Sequence, residues 1–555
     1  MSIAGAPLSS CIYGGGHTSC PGDRPACWCP SGPAIAFGAF AKKSVLPVIL
    51  SIKSLAYLDG LLLLGLLFFR WALAGRMKGL IDARVFALTL LVPAMLMFIP
   101  YVELAYFGLV VTVMLARNRP ELCAGYLLML PLVPELSVEY SISGLYIMRL
   151  SATSALAIGA LLGLLWTRRT AKLHSGKYDL AVAALVLLFT IISARGSEAN
   201  SYLRAFADNF LTIGVPYIVV SRCIGSEDDA RVALSRFYLA GVLAALVAIF
   251  EASRHWALYE AIPSHLGVKM LDIAVLNVRA GFMRSGGPFL NPTAFAFFLA
   301  ILPPGLWAIR SYFQTIGYWA VNAVLLLGLL ATQSRGAWIA CAAGYCALWA
   351  YRGMRLQVAG ALAAFAVLYA VAGVILPESG RLAESLGRTG AAADTAEYRR
   401  LLLEGGLDQV RLHPWFGQSP TELRDAMAQL VQGQGIVDFV NGHLYVALGS
   451  GLIGFAIWIM IWGTPLMATW RRGAPVGRSA VTKVQLVPET MLVVGMVGLC
   501  FTSTGVRALV WPTIALGLTG PLLALARRAK PAPRPTRVVR SEDFSSDAGR
   551  IPAAG

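Results

Sequence analysis

Residues 317–351 read GYWAVNAVLLLGLLATQSRGAWIACAAGYCALWAY. Two apolar runs, 317–333 and 338–351, are joined by four residues that include a single charge, Arg335. A helix needs roughly 20 predominantly apolar residues to cross a bilayer. Because the two runs follow each other with only a short polar break, they predict two consecutive membrane helices.

The same alternation of apolar runs and short polar breaks extends over most of the 555 residues. Of these residues 57% are hydrophobic and the mean hydropathy is +0.67, which is more apolar surface than one soluble core can bury. The sequence therefore predicts an all-α fold, a polytopic transmembrane helical bundle with about 12–15 spans. The predicted spans are 54–72, 83–99, 101–116, 121–135, 144–166, 179–195, 204–222, 234–252, 290–309, 317–333, 338–351, 357–376, 444–466, 487–504 and 508–526.

The two ends of the chain differ from the predicted membrane domain, which covers residues 45–526. Residues 1–44 are predicted to be a low-order segment, because their composition is rich in glycine, proline and serine. A zinc or disulfide cluster is the alternative there. Residues 527–555 are predicted to be a disordered, basic, cytoplasmic tail. The cysteines of the N-terminal segment are Cys11, Cys20, Cys27 and Cys29.

The net charge of +17 is informative through its distribution between loops. If the spans alternate, the basic residues of most loops fall on one face, which the positive-inside rule makes cytoplasmic. The charge therefore predicts membrane topology, and no nucleic-acid partner. These residues are Arg76, Lys78, Arg84, Arg117, Arg119, Arg168, Arg169, Lys172, Lys177, Arg352, Arg355, Arg471, Arg472, Arg478 and Lys483.

Three arginines, Arg284, Arg335 and Arg507, fall on the opposite face, together with the long loop 377–443. An arginine at a span end is commonly an interfacial anchor that extends to the lipid headgroups. Burying one towards the membrane centre costs roughly 2.5–3.5 kcal/mol on insertion scales, which a bound anion would offset. Because the guanidinium matches phosphate in bidentate fashion, the three together predict a phosphate or pyrophosphate site.

The loop 377–443 is long enough to have a function of its own. Its apolar positions predict an amphipathic helix that begins near Glu397 and ends before segment 413–417, HPWFG, where proline prevents continuation. This partly helical, periplasmic loop is predicted to be a lid over the membrane face or, alternatively, a helix that only caps the bundle.

Several short motifs follow one another in a definite order. Arg284 precedes Gly287 and Asn291-Pro292, and Ser334-Arg335-Gly336 closes the next span. Tyr398-Arg399, HPWFG at 413–417, Asn441, and GLIG at 451–454 come after them. In this order and spacing the chain resembles the O-antigen ligase and polymerase superfamily over about residues 200–470.

The resemblance implies a GT-C-like glycosyltransferase of the bacterial inner membrane. Such enzymes take a glycan from an undecaprenyl-pyrophosphate-linked donor and pass it to a hydroxyl of the lipid A core or of another glycan. The implied partners are this donor, a glycan or lipid-linked acceptor, membrane lipids and proteins of polysaccharide export. Arg284, Arg335 and Arg399 would bind the pyrophosphate, with Asn291, Asn441 and His413 in supporting roles. We expect no cofactor and no metal.

The general base is where the sequence departs from the ligase pattern, in which a histidine directly precedes the asparagine of a His-Asn-x-x-Leu stretch. That position is Val440 here, and His443 lies three residues later. On a helix these two positions share a face, so His443 is the predicted base, with Asp438 and His413 in reserve. The displaced histidine favours a polymerase of exopolysaccharide or O-antigen repeats, with an O-antigen ligase as the alternative.

Two alternatives of other classes remain open. A transporter or flippase of lipid-linked oligosaccharide would share the hydrophobicity and the phosphate-binding arginines, but it commonly shows repeated halves, and no internal repeat is visible. A scaffold without chemistry would leave the arginines unexplained. Two acidic features are predicted to be structural: residues 227–229, EDD, as a turn before a helix, and Glu251 as an interfacial carboxylate. A contact of Glu251 with substrate is the alternative.

Overall fold

A computed structural model describes residues 37–142, 145–167, 176–266, 278–279, 281–363, 367, 391–431, 437–471, 483–503 and 506–528. The chain divides into two compact units, residues 1–46 and 47–555. The first is described only in residues 37–46, which are helical. The four N-terminal cysteines and most of the predicted tail 527–555 lie outside the described residues.

Helices account for most of the described chain. Three helices adjoin the sequence motifs. Helix α9 precedes the segment with Arg284, α14 begins at Arg335, and α17 follows Asn441. The helices are α1 Phe37–Ala72, α2 Ala83–Phe98, α3 Val102–Met114, α4 Arg119–Met129, α5 Ala152–Trp166, α6 Asp179–Ala194, α7 Ala199–Asn209, α8 Val215–Cys223, α9 Glu227–Arg254, α10 Ala261–His265, α11 Pro292–Ala300, α12 Leu302–Leu306, α13 Thr315–Ala331, α14 Arg335–Tyr351, α15 Ala391–Leu412, α16 Pro420–Ala426, α17 Gly442–Trp470, α18 Leu486–Leu499 and α19 Val506–Arg528.

Among the described residues, six helical segments are long and apolar enough to cross a membrane, and six shorter helices are also apolar. The all-α, polytopic fold is thereby confirmed. The six longer segments are Ser51–Ala72, Ala199–Cys223, Glu227–Arg254, Pro292–Tyr312, Gly442–Ala468 and Ala508–Ala526.

Two small antiparallel hairpins interrupt the helices: β1 Ser137–Ile142 with β2 Leu145–Ser151, and β3 Val278–Arg279 with β4 Phe282–Met283. The first hairpin makes the predicted span 144–166 wrong at its start, because the helix there begins only at Ala152. In a strand the side chains alternate between two faces, and Glu139 lies opposite Arg149 in the register. The prediction of a helix from residue 144 did not anticipate the pairing of Glu139 with Arg149.

Local sequence explains where several helices begin. Ser226 and Asp229 form a capping box at the start of α9, in which each side chain accepts a hydrogen bond from the other residue's backbone. The acidic run 227–229 therefore forms the first turn of the helix, where a turn before it was predicted, and Glu227 and Asp228 also pair with Arg231. The side chains of Asp82 and Asn118 each accept one backbone hydrogen bond at the starts of α2 and α4.

Helix α9 lies in the centre of the bundle, and packs against α4 and α13. Arg236 and Glu251 lie on α9, 15 residues apart, which corresponds to about 22 Å along a helix. We call the regions around them the Arg236 end and the Glu251 end of the bundle. The segment that carries Arg284 is hydrogen-bonded to Glu251 through Ser285.

Candidate functional site

The two segments that carry Arg284 and Arg335 are hydrogen-bonded to each other. The Ser285 amide donates to the Ala331 carbonyl at 3.3 Å, and Arg284 Nε donates to the Thr332 carbonyl at 3.2 Å. Arg335 follows three residues after Thr332, as the first residue of α14. Two arginines that are 51 positions apart in sequence are thus carried by adjoining backbone.

Arg335 is partly buried at the start of its helix. Within the described part of the chain, the Arg335 side chain makes no ion pair and no hydrogen bond. Its neighbour Gly336 lies against Phe501, where a Cβ would come within 2.3 Å of the Phe501 Cβ. Only glycine allows this approach, so the start of α14 is held against the segment that follows α18.

The start of α17 reaches the same end of α18. His443 Nε2 lies 2.9 Å from the Met496 carbonyl. Met496 and Phe501 are five residues apart, or about 7.5 Å along a helix. The structure therefore brings the Arg335 segment and the Asn441–His443 segment together around one helix end.

His443 is held by two structural hydrogen bonds. Trp458 Nε1 donates to His443 Nδ1 at 3.0 Å, so the opposite nitrogen, Nε2, carries the proton and donates to the Met496 carbonyl. The Trp458 ring also packs edge-on against the imidazole, with centroids 5.9 Å apart. A neutral imidazole whose two nitrogens are both engaged has no lone pair for a substrate proton, and this geometry speaks against the prediction of His443 as base.

Asp438, the reserve base, lies in the loop just before α17. Burial raises the pKa of the Asp438 carboxyl, while the positive charge of Arg399 acts in the opposite direction. Arg399 and Asp438, 39 positions apart, are therefore electrostatic neighbours. A half-buried carboxylate with a raised pKa is a stronger base than a fully solvated one.

A separate small hydrophobic cluster holds the segment that carries Arg399 near the segment that carries Asp438. It joins α15, α16 and the start of α17, and its buried members are Leu402, Leu423, Met427, Phe439, Leu444 and Leu448. Helix α15 ends at Leu412, as predicted, but begins at Ala391, before the predicted start near Glu397. The loop is thus partly helical, as predicted, and packs against the membrane helix that carries Asn441.

The turn 413–417, HPWFG, contacts α17 at a position further along the helix from Asn441. Its Pro414 carbonyl accepts from the Leu452 amide at 2.7 Å, where α17 is broken at Gly451 with φ 64°. Leu452 is 11 residues beyond Asn441, roughly 16 Å along a helix. His413 itself is exposed at this turn, so the structure does not bring it to Asn441 and Asp438.

Both supporting asparagines are helix caps. Asn291 Oδ1 accepts from the amides of Thr293 and Ala294 at 2.9 and 3.1 Å, at the start of α11. Asn441 Oδ1 accepts from the amides of His443 and Leu444 at 3.1 and 3.2 Å, at the start of α17. Each asparagine fixes the direction in which its helix leaves the site.

Glu251 was predicted to be an interfacial carboxylate, and this prediction is wrong. Its side chain is fully buried, and Oε2 accepts from Ser285 Oγ at 2.5 Å and from the Gly287 amide at 3.0 Å. These partners lie beside Arg284. One signal was available in the sequence: an ionisable residue inside an apolar run is costly and commonly functional.

In the described chain, no group of three or more His, Cys, Asp or Glu residues is arranged to hold a metal ion. The described cysteines are free, and three of them are buried within helices, where they pack as small apolar residues. These three are Cys123, Cys223 and Cys341.

Comparison with known protein families identifies one region. Residues 320–459 match the family model described as O-Antigen ligase. The matched region contains Arg335, Arg399, Asp438, Asn441 and His443, whereas Arg284, Asn291 and Glu251 precede it. No curated protein matches the chain. The match confirms the resemblance to the O-antigen ligase and polymerase superfamily, and supports a function of that type.

Proposed function

We propose, from the O-antigen ligase region at residues 320–459 and the arginines gathered beside it, that this protein is a polysaccharide polymerase of the membrane. It would transfer a glycan from an undecaprenyl-pyrophosphate-linked donor to a hydroxyl of a second, lipid-linked glycan. The observation that carries the proposal is the pair of bonds, Ser285 to Ala331 and Arg284 to Thr332, that joins the two arginine segments.

The reaction is a substitution at the anomeric carbon of the donor. The acceptor oxygen forms a bond to this carbon, the bond from the carbon to the pyrophosphate oxygen breaks, and the acceptor proton moves to a base. The pyrophosphate leaves with the bonding electrons, so negative charge grows on it in the transition state. Fixed cations aimed at that charge stabilise the transition state more than the ground state.

Arg284 and Arg335 are suited to this task. Arg284 Nε donates to the Thr332 carbonyl, and this bond orients the guanidinium. Arg335 stands at the start of α14, where the helix dipole adds further positive potential. Arg399 would contribute from the loop. With three guanidinium groups, the proposed step needs no metal or cofactor as a cation.

We propose Asp438 as the base instead of His443. Its carboxylate is acceptor-only when ionised, burial raises its pKa, and the positive charge of Arg399 acts in the opposite direction. His443, bound to Trp458 and Met496, would instead hold the start of α17 against α18.

The polymerase is favoured over a ligase by Val440, which replaces the histidine of the ligase pattern. A ligase acting on the lipid A core is the second candidate, since the matched family model carries that description. The residues of the proposed site lie at helix ends and in loops, and a transporter site near the bilayer midplane would not require this arrangement. By the positive-inside rule, we propose the inner membrane, a periplasmic site and a cytoplasmic C-terminus.

The test replaces Arg284, Arg335 and His443 singly with alanine, and Asp438 with asparagine, in a strain that lacks the chromosomal copy. Surface polysaccharide and lipid-linked intermediates are measured per amount of membrane-inserted protein. A polymerase predicts loss of long polymer with single repeat units still attached. Full-length polymer stranded on its lipid carrier would establish a ligase instead.

Unchanged polysaccharide in the arginine and aspartate variants would refute the proposed site. The His443 variant separates the two candidate bases. If its loss of polymer is explained by less inserted protein, the structural role holds, whereas an inactive but fully inserted variant would return His443 to the chemistry.

A further inference from the structure

The turn that carries Arg284 has an unusual backbone. Gly287 has φ 46°, and a Cβ there would come within 2.6 Å of the Phe295 ring. Leu290, a residue with a Cβ, also has a positive φ of 54°. Left-handed conformations of this kind cost energy in a non-glycine residue and persist only where surrounding contacts impose them. The turn therefore depends on the groups that hold it.

Glu251 is the principal side chain that holds this turn. Its Oε2 accepts from the Ser285 hydroxyl at 2.5 Å and from the Gly287 amide at 3.0 Å, the positions one and three residues after Arg284. Glu251 and Ser285 are both completely buried. The hydroxyl bond lies in the short range that is typical of a charged carboxylate acceptor.

The other oxygen of the same carboxylate holds a second segment. Glu251 Oε1 accepts from the Leu258 amide at 3.0 Å, four residues beyond the end of α9. One side chain thus connects the end of α9, the segment after it and the arginine turn. All three donors require an acceptor, so replacing one carboxylate oxygen with an amide NH2 removes acceptor capacity.

The connection continues from the turn to Arg335. Ser285, bound to Glu251 through its hydroxyl, donates its amide to Ala331, and Arg284 donates to Thr332. Displacing the turn would therefore displace the Arg284 guanidinium relative to the start of α14. Misplacement of a reacting geometry by about 1 Å can lower a rate by about 10²-fold.

We propose that Glu251 is a positioning residue: buried and out of reach of substrate, it sets the direction of the Arg284 guanidinium by anchoring the 284–287 turn. This inference rests on the proposed function, because it assigns Arg284 to the pyrophosphate. It extends the site beyond the matched region to the end of α9.

The test is a double-mutant cycle between Glu251→Gln and Arg284→Ala, measured as polysaccharide formed per amount of inserted protein. Glu251→Gln alone should lower the product by about 10–10²-fold, and Arg284→Ala alone on the order of 10²–10³-fold. Because Glu251 acts through Arg284, the double variant should stay at the level of Arg284→Ala. A further tenfold fall in the double variant would overturn the proposal.

Two more variants keep the test decisive. Ser285→Ala removes one bond of Oε2 and leaves the backbone donors in place. It should therefore give a smaller loss in the same direction, and it serves if Glu251→Gln inserts poorly. Ser253→Ala is the matched control, since its hydroxyl bonds only to the Phe250 carbonyl of the same helix. It should retain wild-type product.

The outcomes separate the inference from its premise. If Arg284→Ala makes normal polymer, the proposed pyrophosphate site fails. If Arg284→Ala is defective while Glu251→Gln and Ser285→Ala are normal, the site stands and the positioning role of Glu251 is refuted.

Discussion

The two ends of helix α9 hold arginines in opposite settings. At the Arg236 end, Arg84 Nη1 lies 2.6 Å from Glu121, and Arg236 Nη2 lies 3.6 Å from Asp82. At the Glu251 end, Arg284 donates to a backbone carbonyl, and Arg335 has no ion pair within the described part of the chain. The carboxylate at this end, Glu251, accepts hydrogen bonds from a hydroxyl and from the backbone amides of Leu258, Tyr259 and Gly287.

The difference separates arginines that are paired with a carboxylate from Arg335, which has no ion pair within the described residues. A carboxylate partner neutralises a guanidinium within the protein. At the Arg236 end, Arg84 and Arg236 are compensated in this way. We propose that Arg335 instead keeps its charge for a pyrophosphate.

The largest expected effect is on the one carboxylate that we assign to chemistry. Asp438→Asn should lower polymer formation by about 10²–10⁴-fold, since an amide cannot take up the proton from the hydroxyl of the acceptor glycan. Product per inserted protein is the measurement, with Asp425→Asn as the control, because Asp425 is an exposed carboxylate that contacts only Arg424. Equal product from both variants would remove Asp438 from the mechanism.

The next largest effect on polymer formation is expected when one arginine is removed at the Glu251 end and not when one is removed at the Arg236 end. Arg335→Ala should lower polymer formation on the order of 10²–10³-fold, because a cation at the leaving group is lost. Arg84 is partly buried like Arg335 but is paired with Glu121. Arg84→Ala should therefore lose less than about 1 kcal/mol of stability and little activity. Similar losses from the two variants would contradict the contrast between the ends.

The pH dependence should respond to Arg399. The base must be ionised, so activity falls as pH decreases through the pKa of Asp438, which burial raises and Arg399 lowers. Arg399→Ala removes the lowering charge, and the acid limb of the pH profile should move to higher pH. Arg400→Ala is the matched control, since Arg400 is exposed and bound to Glu397 and Glu404. An acid limb that moves equally in both variants would exclude this coupling.

The smallest effect on activity should come from Arg236→Ala. The variant loses the bond from Arg236 Nε to the Leu80 carbonyl and the contact with Asp82, so we expect unfolding to become easier by about 1–3 kcal/mol. Thermal unfolding in detergent should show a lower Tm, while polymer per folded protein stays within about threefold of wild type. A catalytic defect with an unchanged Tm would mean that this end also takes part in the reaction.

The sequence indicates candidates for the site, but not their geometry. The charge pattern indicates Arg284 and Arg335, the motif order indicates Arg399, and Asp438 is a reserve candidate for the base. The sequence favours His443 as base because it lies three residues from Val440, yet Trp458 and Met496, distant in sequence, occupy both of its nitrogens. It does not reveal the acceptor role of Glu251, because that role depends on a turn 34 residues away.

The sequence by itself determined the all-α membrane fold, because hydropathy is a local property of a chain in a bilayer. It also placed Arg284 and Arg335 beside apolar runs, and it determined the helix caps at Asn291 and Asn441, which need only neighbouring amides. Tertiary structure decided which segments these residues join. That outcome depends on hydrogen bonds between segments far apart in sequence, among them the bonds from Ser285 to Glu251 and from Arg284 to Thr332.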